Sequence, residues 1–321
     1  SSANILFNGL VLSLQDYLQK NSIKKVFLGL SGGIDSAVVL CIAAKACKNS
    51  DIQTIMMPTK FTSRMSLDDA KKLASNIGVK YTIKRIDSLN NKINKMFIKD
   101  FSGYETDTTE ENIQARIRGL LLMAYANKFK GVVLATSNKS ETAVGYATLY
   151  GDMVGGFSVL KDVPKTWVYK LAQYINKNKI IIPNRIITRE PTAELKDNQS
   201  DQDSLPNYEI LDGIIDLYLD TFNYNGHTSA VDALYAGVPV VTKKGKTFTS
   251  RVCASILNAH NMEELITKNE EEYFNLILEI ATKKEKFNKL KLDLKSNLKI
   301  TALFNTKKYV QNLELGYQIA L

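Results

Sequence analysis

The chain has 321 residues, of which 45% are hydrophobic and 23% charged, with a formal net charge of +9. That balance suits a globular protein long enough for two cores, and excludes a disordered low-complexity chain or one with an apolar run long enough to cross a bilayer. The positive excess is lysine scattered along the chain, with no Arg-rich patch and no interleaved aromatics. It argues against a nucleic-acid partner and for anionic small substrates.

In chain order, KKVFLGL at 24–30, IQTIMMP at 52–58 and GVVLATS at 131–137 are short apolar runs bounded by turns, expected as strands buried on both faces. Between them the pattern predicts helices over 36–48, over 66–76 behind a Ser66 cap, and over 109–130. Strand-helix alternation of this kind implies an α/β fold with a doubly wound parallel sheet and ligands at the carboxyl ends of its strands. Residues 184–208 are polar and aperiodic and are expected as a long functional loop. A helix at 207–219, a strand-helix unit around 231–258 and helices at 270–298 and 305–320 complete the chain. The expected domains are 1–218 and 219–321. Cys41, Cys47 and Cys253 form neither a C-x-x-C pair nor an even disulfide framework, and SSANILFNGL has no signal-peptide pattern, so a cytoplasmic protein without a membrane anchor is expected.

The sharpest local signal is SGGIDS at 31–36, directly after a strand and before a helix. Gly32 and Gly33 let bare N–H groups approach an anion, Ser31 and Ser36 add hydroxyls, and the helix contributes its positive end. No Lys-Ser/Thr pair follows the glycines, so this is not a Walker A loop. A carboxylate, Asp35, inside a phosphate-binding turn repels phosphate unless a cation bridges them, which points to Mg²⁺. A plain strand-to-helix turn capped by Ser and Asp is the competing interpretation.

SGGxDS resembles the loop of the ATP-pyrophosphatases, which split ATP between its α- and β-phosphates. With TTEENIQARIRG at 108–119, NKSETAVGYATLYGDMVGGFSVLKDVPKT at 138–166 and REPTAELKDNQSDQDSLPNYE at 189–209, residues 4–219 resemble NAD synthetases, in particular the synthetase domain of the glutamine-dependent form. The resemblance implies an adenine nucleotide alpha hydrolase-like fold. It also implies a two-step reaction: the nicotinate carboxylate of deamido-NAD attacks the α-phosphate of ATP and releases pyrophosphate, then ammonia displaces AMP to give NAD. It implies Asp35 and Glu141 as Mg²⁺ ligands, and Lys165 with Thr136 and Thr192 beside the ATP phosphates. It further implies Asn112, Arg116 and Asp152 on deamido-NAD, Asp152 taking the ammonium proton, in a homodimer. The amidase domain that precedes this form has no counterpart here, so free ammonia or a separate glutaminase is the expected nitrogen source. Another ATP-pyrophosphatase amide ligase is the alternative within this chemistry.

Residues 219–258, from LDTFNYNGHTS onward, and the stretch through ALFNTKKYVQNLE at 302–314 resemble instead the C-terminal part of O-linked N-acetylglucosamine transferases. That resemblance implies part of a GT-B glycosyltransferase domain, with His227, Thr228 and Ser229 on a UDP pyrophosphate and Asp232 on its ribose. The upstream acceptor half of such a site is missing from these residues, so UDP binding rather than sugar transfer is the expectation. LDGIIDLYLDT at 211–221 serves equally as the last helix of one family or the strand before NGHTS of the other. A chain joining two families, genuine or as a fragment, is the expected organisation.

Overall fold

A computed structural model describes residues 2–197 and 199–320. The chain divides into two compact units, Ser1–Leu205 and Pro206–Leu321.

The first unit opens with helix α1 (Ser2–Lys20), followed by β1 (Val26–Gly29), α2 (Ile34–Ala46), β2 (Ile52–Met56), α3 (Arg64–Ile77), β3 (Lys80–Ile83), α4 (Asp87–Met96), α5 (Thr108–Phe129), β4 (Val132–Ala135), α6 (Lys139–Ala143), β5 (Phe157–Ser158), α7 (Lys165–Ile175) and α8 (Asn184–Thr188). The five strands form one parallel sheet in the order β3-β2-β1-β4-β5. Side chains alternate across a strand, and both faces of β1 are covered. Val26 and Leu28 join the core under α1, α2 and α7, while Phe27 joins a second core with Ile55, Val133 and the apolar side of α5. Burial on both faces is why β1 and β4 read as unbroken apolar runs. From β1 the order runs outward to β2 and β3 on one side and to β4 and β5 on the other. The carboxyl ends of β1 and β4 therefore flank the point where the order reverses, the natural crevice of such sheets.

Several boundaries differ from the sequence expectations. Helix α2 begins at Ile34 with Gly33 as its cap rather than near Ser36. Helix α3 is capped by Ser63, whose hydroxyl accepts the N–H of Ser66; Ser66 itself lies inside the helix. Helix α5 starts with a reciprocal capping box between Asp107 and Glu110. The segment 184–208 is not wholly loop: it holds α8 and a 3-10 turn at Asp201–Asp203.

The second unit contains α9 (Tyr208–Ile215), β6 (Tyr218–Leu219), α10 (Thr228–Tyr235), β7 (Val240–Lys243), α11 (Val252–Ala259), β8 (Ile266–Thr267), α12 (Glu270–Thr282), α13 (Lys284–Ile300) and α14 (Thr306–Ala320). Its three short strands are parallel in the order β6-β7-β8, around a core that includes Leu234, Val241, Leu257 and Ile280. The ambiguous stretch at 211–221 is both things at once, the end of α9 and then β6. The division falls after Leu205, ahead of the expected 218/219 junction, because α9 packs on α12 within the second unit. Gly213 makes that approach possible: a Cβ there would lie 2.4 Å from the Ala281 carbonyl oxygen. Among the described residues, no helix is long and apolar enough to cross a membrane.

Candidate active site

The turn after β1 and the turn after β4 face each other across the crevice. In the first, Gly32 has φ +84°, and a Cβ there would meet the Ser66 carbonyl oxygen at 2.5 Å, so only glycine lets the turn lie against the start of α3. Ser31 Oγ accepts the Gly33 N–H (3.2 Å), and Ser36 Oγ donates to the Gly33 carbonyl (3.0 Å). These bonds fold the turn over the first residues of α2, a 13-residue helix whose N-terminal end carries Asp35.

After β4 the chain turns through Thr136 and Ser137 into α6, capped by Asn138, and Glu141 is the third residue of that helix. Asp35 Oδ2 and Glu141 Oε1 accept bonds from a single ammonium, Lys165 Nζ, at 2.6 and 2.9 Å. Lys165 is only 2% exposed and opens α7. Two carboxylates that share one cation are spaced to share another. Burial, then the neighbouring charge of Asp35, pushes the Glu141 carboxyl up to about 7 even though Lys165 pulls it down. Among the described residues, no group of three or more His, Cys, Asp or Glu side chains is arranged to hold a metal. The chain offers two hard oxygen ligands and leaves the remaining positions of a cation to phosphate oxygens and water.

These groups line a cavity of about 260 Å³ that also takes in Ser31, Gly33, Ser36, Thr136, Asp152 and Thr192. Ile55, Met57, Leu122 and Leu134 supply its apolar wall. Asn112 and Arg116 are not on this wall. Asn112 Oδ1 accepts the Thr148 hydroxyl (2.7 Å) and Arg116 Nε donates to the Leu149 carbonyl (3.2 Å), while Asp152 accepts the Thr148 N–H (2.7 Å). The three expected deamido-NAD residues thus meet at one loop, 148–152, with Asp152 reaching the cavity.

The structure adds lining residues that the sequence reading passed over. Arg189 donates to the Gly32 carbonyl (3.0 Å) and to Ser66 Oγ (2.9 Å), and Ser66 Oγ donates to Glu194 (2.7 Å). This chain of bonds ties the 189–194 strap to the glycine turn. Arg118 donates to the Met57 carbonyl (3.1 Å), and burial pulls its guanidinium down to about 10, so it stays a cation on the wall. Tyr146 reaches Asp201 at 3.4 Å on the opposite side. One available signal was the pairing of Arg189 and Glu194 inside a polar segment already marked as functional.

In the second unit, His227 is the cap residue of α10, Thr228 and Ser229 are exposed in its first turn, and Asp232 is exposed one turn further on. The preceding turn is built by Asp220, 3% exposed, which accepts the Gly226 N–H (2.6 Å) and the Thr242 hydroxyl (2.5 Å). The His227 ring stacks on Tyr224 with centroids 5.0 Å apart. His227, Thr228 and Ser229 therefore share the N-terminal end of α10, with Asp232 one turn into the helix.

Residues 6–234 match the family model for NAD synthase, and residues 211–313 match that for glycosyl transferase family 41. Glutamine-dependent NAD(+) synthetases of Aquifex aeolicus and Acinetobacter baylyi are each 50% identical to this chain, over 215 and 217 residues. Both alignments cover 67% of this chain but only 38% and 40% of those proteins, so the chain spans about two-fifths of their length. Among solved structures, the glutamine-dependent NAD+ synthetase of Acinetobacter baumannii in complex with adenosine diphosphate superimposes with a TM-score of 0.58 at 38% identity, covering 82% of this chain and 45% of that one. NMN synthetase from Francisella tularensis superimposes with a TM-score of 0.60 at 26% identity, covering 67% and 87%.

Proposed function

Because the chain belongs to the NAD synthase family, we propose that it is an ATP-dependent ligase that adenylates the nicotinate carboxylate of deamido-NAD and amidates it with ammonia, releasing pyrophosphate and AMP. The observation that carries this is the convergence of Asp35 and Glu141 on one cationic point, at 2.6 and 2.9 Å, beside a glycine turn at a helix N-terminus. Two carboxylate oxygens with room for phosphate oxygens and water are a donor set that fits magnesium. Asp35 and Glu141 would hold such an ion, which would supply positive charge to offset that of the triphosphate.

The rest is the work of the chain. The N–H groups and hydroxyls of Ser31, Gly32, Gly33 and Ser36 cradle the phosphates. Thr136 and Thr192 donate to them from the opposite wall, and Lys165 adds a buried positive charge where the pyrophosphate leaves. The apolar wall of Met57 and Leu122 holds the base and keeps water out. Asp152, reachable on the 148–152 loop, takes the proton that ammonium must lose before it can attack. Asn112 and Arg116 hold that loop toward deamido-NAD, in a homodimer built on this unit. The nitrogen enters this site as ammonia.

Incubation with ATP, Mg²⁺, ammonium and deamido-NAD should yield AMP and NAD in equal amounts, and Asp35→Asn or Glu141→Gln should abolish both products. Full amide formation by both variants, or no AMP from the wild type, would overturn the proposal. The similarity to NMN synthetase over most of that chain favours one second reading, with the nicotinate mononucleotide as acceptor in the same chemistry. AMP formation with the mononucleotide but not the dinucleotide would select it. UDP binding through His227, Thr228, Ser229 and Asp232 goes with the family 41 match as a separate proposal. A UDP-induced rise in the melting temperature of the second unit, lost in His227→Ala, is its test.

A further inference from the structure

Resting on the reading above, we infer that Asn138 is a positioning residue that sets the arrangement of the two cation-binding carboxylates through a single amide. Asn138 is fully buried, 0% exposed. Its Nδ2 donates to Asp35 Oδ1 at 2.9 Å across 103 residues of sequence, and its Oδ1 accepts the Glu141 N–H at 3.0 Å. One side chain therefore touches both arms of the pair, from the turn after β4 to the turn after β1.

The chemistry of those contacts fixes which way the amide points. The reverse orientation would set an NH₂ against the Glu141 N–H and a carbonyl oxygen against a carboxylate, two repulsions in place of two bonds. With Oδ1 held by Asn138 and Oδ2 by Lys165 at 2.6 Å, the Asp35 carboxylate cannot rotate without giving up a bond. The other arm is controlled through the cap. Helix α6 has five residues, too few to be stable alone, so the bond from the Glu141 N–H to Asn138 decides where its first turn begins. That start places Glu141 on the side of Asp35. The adjoining Ser140 hydroxyl accepts the Lys165 N–H at 2.8 Å, so the same turn also locates the start of α7.

Neutrality is the point of an amide here. A cationic donor at 138 would bond Asp35 equally well but cancel the charge that attracts a metal ion. An ionised carboxylate would have no proton to give. Serine and aspartate both cap helices as asparagine does, yet neither can present an amide N–H to Asp35. Substituting them separates the capping role from the positioning role.

The test compares wild type, Asn138→Ser and Asn138→Asp by calorimetric titration with a non-hydrolysable ATP analogue, with and without Mg²⁺, beside their melting temperatures. The quantity read is the factor by which Mg²⁺ strengthens nucleotide binding. In Asn138→Ser, loss of a hydrogen bond to a charged group should shrink that factor about tenfold in protein whose melting transition shows it folded at the titration temperature. In Asn138→Asp, the added negative charge should enlarge it. A residue that merely caps α6 would leave the factor unchanged in Asn138→Ser, which keeps a capping side chain without changing the charge, and that result overturns the inference. A wild type whose nucleotide binding gains nothing from Mg²⁺ refutes the ligase reading, and the inference falls with it; a normal wild type beside an unchanged Asn138→Ser refutes the inference alone.

Discussion

Replacing Lys165 with methionine removes a charge that pairs with both Asp35 and Glu141 while keeping an unbranched chain of similar length. The side chain is 2% exposed and its ammonium lies 2.6 and 2.9 Å from the two carboxylates. Breaking such a buried pairing by deleting one partner costs about 3–5 kcal/mol, because the orphaned charge keeps its desolvation penalty. For a unit of this size, that corresponds to a melting temperature lower by roughly 10 °C. The deficit should depend on pH with a definite sign. Glu141 already stands at about 7, raised by burial and by Asp35, and without the ammonium it rises further. A carboxyl raised above its unfolded value favours the protonated fold, so its penalty is largest above pH 7 and fades as pH falls toward the ordinary carboxylate range near 4.3. Differential scanning calorimetry of Lys165→Met and wild type at pH 8 and pH 5, in EDTA, should show a large gap at the higher pH and a smaller one at the lower. An equal gap at both values, or none, would refute the claim that Lys165 acts as the counter-ion of a carboxylate pair.

Gly32→Ala forces a side chain into φ +84° and against the Ser66 carbonyl at 2.5 Å. The left-handed conformation alone costs about 1–2 kcal/mol, and the displaced turn should weaken ATP binding more than tenfold in a fluorescence titration; wild-type affinity would count against the cradle. His260 tests the second unit. It is fully buried, bonds Thr301 Oγ1 at 3.0 Å, and burial lowers its pKa. The unfolded chain therefore takes up the proton first, so stability present above about pH 6.5 should be lost as pH falls below it. Hydrogen exchange in α11 and α13 should accelerate between pH 7 and pH 5 beyond the intrinsic rate change, and His260→Gln should flatten that trend; identical trends would exclude the histidine as its source.

The parts of the site that lie close together in sequence were legible there. A strand, two glycines, a carboxylate and a helix within ten residues define the turn at 31–36 by local geometry alone. Glu141 followed because α6 comes straight after β4. Arg189 and Asn138 escaped because what defines them is a partner far along the chain: Arg189 meets Gly32, and Asn138 meets Asp35. No periodicity carries that information. The same holds for the fold. Strands β1, β2 and β4 were visible as apolar runs and β6 as one of two alternatives for 211–221, whereas β3, KYTI with its ends exposed, and the two-residue β5 and β8 were not. Edge strands bury less and so have less pattern to show. Ser66 resembled a cap because it is a serine before a helical run, but Ser63 stands one turn earlier and wins the N–H.

The overlap of the two family matches over residues 211–234 has a practical side. Helix α9 falls within the span of the synthase match, yet it lies against α12, close enough that Gly213 has no room for a methyl group. Anyone dividing this polypeptide for expression by alignment alone would cut after α9 and strip the C-terminal piece of a wall of its own interior. Ile214, which packs on that interior, would then leave with the wrong fragment. A cut at 205/206 keeps each interior whole, and ancestry and architecture here draw their borders in different places.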